Sequence, residues 1–224
     1  HSFLLNNKIN SNYVKLINGK IITQEIRIWD GDKKFINPIY ERIDVDFAEF
    51  SPIILYSNGK LDEIEVLDCI KNWKLKNPTD PSPYYYHACV LFSQGKYEDF
   101  INMADQYMFF ENKETFSKVM IRYYYAMTML IYKKSYKPAL QNINLCLCAK
   151  PLMAEFWCLM ADVYYHLLNK FSEAKFFYEN AIFMGSRRMK NDVNPIDLDK
   201  YKAYPNKMIK SCEQLLQQSF VRNQ

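Results

Sequence analysis

Glycine is scarce in this chain, at 5 of 224 residues. That is too few for glycine-rich phosphate loops or for an all-β fold dense in hairpins. Histidine is scarcer still, with only His1, His87 and His166. His87 and His166 fall in helical stretches with no Cys or His at ligand spacing, so no metal site is expected. No Cys-x-x-Cys, G-x-S-x-G or P-loop spelling occurs, which leaves no catalytic residue to name and no cofactor to expect. The longest apolar run, Tyr123 to Tyr132, lies between Arg122 and Lys133 and has 10 residues. A bilayer needs about 20, so no membrane span is expected. Charge of one sign is also lacking, with 29 basic against 25 acidic side chains. The excess sits in residues 187–224, at 8 basic against 4 acidic. So short a basic tail does not supply the row of phosphate contacts that duplex binding needs, and no nucleic acid partner is expected. No signal peptide is visible, and the chain opens on His1-Ser2 rather than methionine. We read it as a fragment of a longer polypeptide.

Apolar and aromatic residues are plentiful. The hydrophobic fraction is 49% and the aromatic fraction 16%, with 18 Tyr and 15 Phe, enough for a sizeable core. Cys69, Cys89, Cys146, Cys148, Cys158 and Cys212 mostly occupy apolar helical patterns. They read as buried free thiols, which fits a reducing, cytoplasmic location. The methionines fall at helical spacing and read as core filler.

The chain changes texture along its length. Residues 1–57 are expected to be β-rich, with Val14–Ile17 and Lys20–Trp29 flanking an Asn18-Gly19 turn. Asp30-Gly31-Asp32 is a second turn, and Pro38 and Pro52 argue against long central strands beyond it. Residues 58–82 form a linker and capping helix that stops at Asn77-Pro78-Thr79-Asp80-Pro81. Apolar periodicity then predicts helices at about 83–94, 97–110, 115–133, 136–149, 153–168 and 171–184. Residues 186–224 supply a loop around Asn191–Pro195 and a capping helix over Asn206–Ser219.

The helical part repeats itself three times. The first copy runs Tyr84-x-x-His87-Ala88-x-x-Leu91, then Gly95, Tyr97, Phe100, Ala104 and Tyr107. The second runs Tyr123-x-x-Ala126-Met127-x-x-Leu130, then Tyr136, Ala139, Ile143, Cys146 and Pro151. The third runs Trp157-x-x-Met160-Ala161-x-x-Tyr164, then Phe171, Ala174, Tyr178 and Ala181. The lead aromatics are 39 and 34 residues apart. This pattern resembles the tetratricopeptide repeat, whose unit is about 34 residues. The resemblance covers residues 83–185 and implies a mainly α fold. Three helix pairs would form a superhelix between capping helices, after the small β-rich segment.

The resemblance also implies a concave groove lined by fixed positions of each first helix. In the first copy these are Ser82, Tyr85, Cys89, Phe92 and Ser93. In the second they are Ile121, Tyr124, Thr128, Ile131 and Tyr132, and in the third Glu155, Cys158, Asp162, Tyr165 and His166. Tyr85, Phe92, Tyr124, Ile131, Tyr132, Tyr165 and His166 are thus the candidate partner-binding residues, for a protein or peptide partner. Family members that hold a peptide carboxylate use Lys, Asn and Arg where this chain has Tyr85, Cys89, Tyr125, Glu155 and Leu159, so no carboxylate clamp is expected. Burial of the same aromatics against a neighbouring helix is the plainer structural reading.

Ile26-Arg27-Ile28-Trp29 and Lys34-Phe35-Ile36-Asn37-Pro38-Ile39-Tyr40-Glu41-Arg42-Ile43 resemble the late strands of family 2 glycosyltransferases. Tyr40 stands where that family has the His of His-Glu. Asn77–Pro81 and Lys200-Tyr201-Lys202-Ala203-Tyr204-Pro205 are similar to segments of its repeat-bearing members. The resemblance implies the C-terminal, non-catalytic part of a glycosyltransferase-like protein. Asp30-Gly31-Asp32 and Asp44-Val45-Asp46 spell the family's metal motif but read as turn and surface carboxylates. Two alternatives stay open on sequence alone. One is sugar transfer from a nucleotide-sugar by the full-length protein, with Glu41 or Asp46 as acid/base. The other is a scaffold or homodimer in which residues 1–57 pair between copies.

Overall fold

The computed structural model describes residues 11–18, 21–29, 49–56, 63–189, 192, 194 and 196–222, with backbone only up to residue 66 and at residues 69, 221 and 222. The chain divides into two units, residues 1–69 with 189–198 and residues 70–188 with 199–224.

In the first unit, β1 (Ser11–Asn18) pairs antiparallel with β2 (Ile21–Trp29), and the ladder closes at Asn18 opposite Ile21. β3 (Glu49–Tyr56) runs parallel to β1, and the two-residue β4 (Ile196–Asp197) runs antiparallel to β2. The order is β3-β1-β2-β4. Pro52 therefore lies on an edge strand, where its missing N–H costs least. Gly19 and the stretch 30–48, with Asp30, Asp32, Pro38, Glu41, Asp44 and Asp46, lie outside the described residues.

The second unit is helical. After α1 (Glu63–Lys76) come α2 (Ser82–Ser93), α3 (Tyr97–Phe110) and α4 (Phe116–Thr128). A π turn over Met129–Lys133 extends α4. Then follow α5 (Tyr136–Ala149), α6 (Ala154–His166), α7 (Phe171–Gly185), the short α8 (Leu198–Tyr201) and α9 (Ala203–Arg222). α1 and α8 each cross the division between the units. The expected single helix over 115–133 is thus α-helical only to Thr128. The last helix begins at Ala203 rather than Asn206. Pro205 falls in its first turn, where a proline removes no helical hydrogen bond.

Local chemistry sets the boundaries. Asp80 accepts a hydrogen bond from the Ser82 amide (2.9 Å), and Pro81 and Pro83 pre-set the first turn of α2. The Thr115 hydroxyl caps α4 by accepting from the Lys118 amide at 3.2 Å.

Each pair reverses direction at one left-handed residue placed two positions before an aromatic helix start. These are Gly95 (φ 70°) before Tyr97, Lys134 (φ 52°) before Tyr136 and Asn169 (φ 52°) before Phe171. A lysine there carries a Cβ penalty that glycine lacks. Lys134→Gly is expected to add about 1 kcal/mol of stability, read as a melting temperature raised by roughly 2–4 °C.

The second helix of each pair buries residues at the same i, i+4, i+7 spacing. These are Phe100, Ala104 and Tyr107 on α3, Ala139, Ile143 and Cys146 on α5, and Ala174, Tyr178 and Ala181 on α7. None is more than 1% exposed. Two of the three lead aromatics also correspond. Tyr84 and Trp157 each donate to the carbonyl six residues back, of Pro78 (2.8 Å) and Pro151 (2.7 Å). Three equivalent turns, three equivalent buried triplets and this shared pair of lead contacts make this a tetratricopeptide-like stack of three pairs.

Candidate functional site

The second copy's groove positions lie on α4 and the π turn that follows it. Along that stretch an aromatic ladder connects the first two pairs. Tyr124 stacks on Phe92 at 4.7 Å between ring centroids. Phe92 meets Tyr97 at 6.0 Å, and Tyr97 meets Tyr132 at 5.7 Å. Phe92 also leans on the buried Phe100 at 5.4 Å. The inner rungs are half-buried, whereas Ile131 and Tyr132 on the π turn are 45% and 48% exposed. Beside the outer rung, Lys133 Nζ donates to Glu98 across the two pairs at 2.7 Å. That contact holds the Glu98 carboxyl below its ordinary value.

The remaining candidates stand apart from the ladder. Tyr85 is half-buried against Tyr107 (5.7 Å) and Tyr86 (5.2 Å). Burial raises its hydroxyl well above the ordinary tyrosine value, so it stays protonated. Tyr165 packs on Phe171 (5.3 Å) and on the exposed His166 (4.8 Å). Of the seven candidates, Phe92, Tyr124 and Tyr132 belong to one ladder with Ile131 beside them.

Three further positions expected in the groove are covered. Glu155, Cys158 and Asp162 are all buried on α6. The segment Lys200–Tyr204 lies on them. Cys158 Sγ donates to the Lys200 carbonyl at 3.4 Å, Tyr201 donates to Glu155 at 3.0 Å and Tyr204 donates to Asp162 at 2.6 Å. Arg188 pairs with Glu155 at 3.8 Å and donates to the Tyr201 hydroxyl. Tyr178 donates to the same Asp162 oxygen as Tyr204. Burial first, and the Asp162 charge second, raise both hydroxyls far above the ordinary tyrosine value. Both stay protonated and act as donors. Glu155 and Asp162 lie seven residues apart and so share one face of α6.

Thr128, the central groove position of the second copy, is fully buried, and its hydroxyl oxygen has no hydrogen-bond partner. An orphaned buried hydroxyl loses its water contacts without recompense. Thr128→Val keeps the shape and removes the orphan. Its expected effect is a gain of about 1 kcal/mol in urea unfolding.

Among the described residues no group of three or more His, Cys, Asp or Glu side chains could hold a metal ion. Cys89, Cys146, Cys148, Cys158 and Cys212 are in no disulfide, and burial pushes the Cys89 and Cys146 thiols up to about 12. Such thiols are protonated at neutral pH and inert. Among the described residues no helix is long and apolar enough to cross a membrane.

No family model and no curated protein matches the chain. Solved structures resemble it, two of them of MamA. One is titled MamA RS-1 ArsTM double mutant, with TM-score 0.47 and 20% identity over 68% of this chain and 86% of that one. The other is MamA 41-end from Desulfovibrio magneticus RS-1, with TM-score 0.49 and 19% identity over 69% of this chain and 86% of that one. The three repeats are marked by this chain's own turns and buried triplets.

Proposed function

We propose that the helical stack is a protein-interaction module that takes an extended, apolar segment of a polypeptide partner along the Tyr124–Phe92–Tyr97–Tyr132 ladder. The observation that carries this reading is the run of rings from half-buried Phe92 and Tyr124 to exposed Tyr132, with Ile131 exposed beside it. Stacked aromatics offer large contact area at low entropy cost and keep a polar handle for orientation. Phe92 already rests on the buried Phe100 and Tyr124 on Phe92, so binding orders few side chains.

Partner capture tests it. The full chain is compared with Ile131→Ser plus Tyr132→Ala, both exposed positions where truncation spares the core. The expected result is loss of the captured polypeptide with an unchanged circular dichroism spectrum. Equal capture by both proteins would remove the ladder from the reading.

A glycosyltransferase-like parent is a second reading, supported by the resemblance of residues 26–43 and of Asn77–Pro81. Its test is titration calorimetry of the full-length protein with nucleotide-sugars. Absence of heat with every donor would retire it.

A further inference from the structure

Lys74 sits at the meeting point of three helices. Its Nζ donates to His87 Nδ1 on α2 at 3.1 Å and to Met103 Sδ on α3 at 3.0 Å. It also lies over the Tyr84 ring, 4.4 Å from the centroid. Around it the α1 residues of the helical unit also make apolar contacts, with Ile70 buried and Trp73 meeting Tyr86 at 6.1 Å. Lys74 adds a polar fastening.

The bond to His87 works in one protonation state. An ammonium group has only hydrogens to offer, so Nδ1 must present a lone pair, and the imidazole must be neutral with its hydrogen on Nε2. A proton on Nδ1 removes the acceptor and sets two cations against each other. Besides Lys74 on α1, the charged groups acting on His87 are Lys96, just before α3, and Asp99 on α3. Two cations therefore oppose one carboxylate.

We propose that Lys74 and His87 form a proton-operated latch that holds residues 70–76 on the first helix pair at neutral pH and releases them under mild acid. Burial, then the Lys74 charge, pulls the His87 imidazole below its ordinary value of 6.5. The unfolded chain, with the ordinary value, then binds more proton than the folded one as pH falls below about 6.5. The fastening is complete above that point and is lost as pH descends through the folded-state value. The latch is independent of the aromatic ladder and stands whether or not that surface binds a partner.

Hydrogen exchange of amides 70–76 in the full chain, corrected for the intrinsic pH dependence, tests it between pH 7.5 and 5. The wild type is expected to lose protection there severalfold. The loss should share its midpoint with the His87 ring-proton titration followed by NMR. His87→Gln keeps an acceptor for Lys74 but takes no proton, and its protection is expected to stay level. Lys74→Met should move the His87 midpoint upward. If His87→Gln fails to fold, the wild-type comparison decides alone. Coinciding midpoints support the latch and separate midpoints overturn it. Flat protection in the wild type, or an equal acid loss in His87→Gln, overturns it as well.

Discussion

Replacing Tyr178 and Tyr204 together by phenylalanine is expected to cost about 3–6 kcal/mol, taking roughly 1.5–3 kcal/mol for each hydrogen bond to a charged group. Both hydroxyls point at one Asp162 oxygen, and Asp162 is buried on α6. Without them the carboxylate keeps its burial and loses the donors that made burial tolerable. The melting temperature should fall on the order of 10 °C at pH 7. Adding Asp162→Leu should recover much of the loss, since an apolar trio has nothing left to satisfy. Thermal melts by circular dichroism at pH 7 compare both variants with the wild type. A double variant that melts with the wild type would show that the two tyrosines hold the tail by packing alone.

Phe100→Ala is expected to cost about 3–5 kcal/mol, the usual range for emptying a buried phenylalanine site. By repeat position the change looks harmless, because Ala139 and Ala174 occupy the equivalent places in the other pairs. Packing says otherwise. Phe100 is fully buried among Ala88, Leu91, Ala104, Tyr107 and Ile121, a set in which small residues on α2 and α3 leave room for a ring. It also props Phe92, so its loss should loosen the ladder as well as the core. Urea unfolding measures the first effect, and near-ultraviolet circular dichroism of the tyrosines reads the second. A cost below about 1 kcal/mol would mean that the site collapses around alanine as its two counterparts do.

Helix positions were largely legible because apolar residues recur at three-to-four spacing and each break carries its own marker. Pro81, Gly95, Thr115 and Asn169 all act where the pattern stops. Two kinds of feature escaped. The π turn over Met129–Lys133 leaves no trace in a run that is apolar throughout, since every position fits an α-helix equally well. The burial of Glu155 and Asp162 escaped because repeat register assigns them to an open face. What covers them is Lys200–Tyr204, more than thirty residues away in sequence, and register carries no information about a segment outside the repeat. The start of α9 was displaced for a simpler reason. Pro205 reads as a stop in a helix interior and is permissive in a first turn.

Among the described residues, four buried side-chain clusters of the helical unit meet at one of them. The cluster of Ala126, Ala139, Ile143 and Val163 shares Ile101 and Tyr125 with a second, Tyr123 and Leu147 with a third, and Tyr164 and Phe177 with the fourth. Each shared residue is a mechanical coupler between that middle cluster and one neighbour, so no single seam runs the full length. A stack loaded from its ends is then expected to yield at an outer cluster before the middle one, with its stiffness tuned at those six side chains.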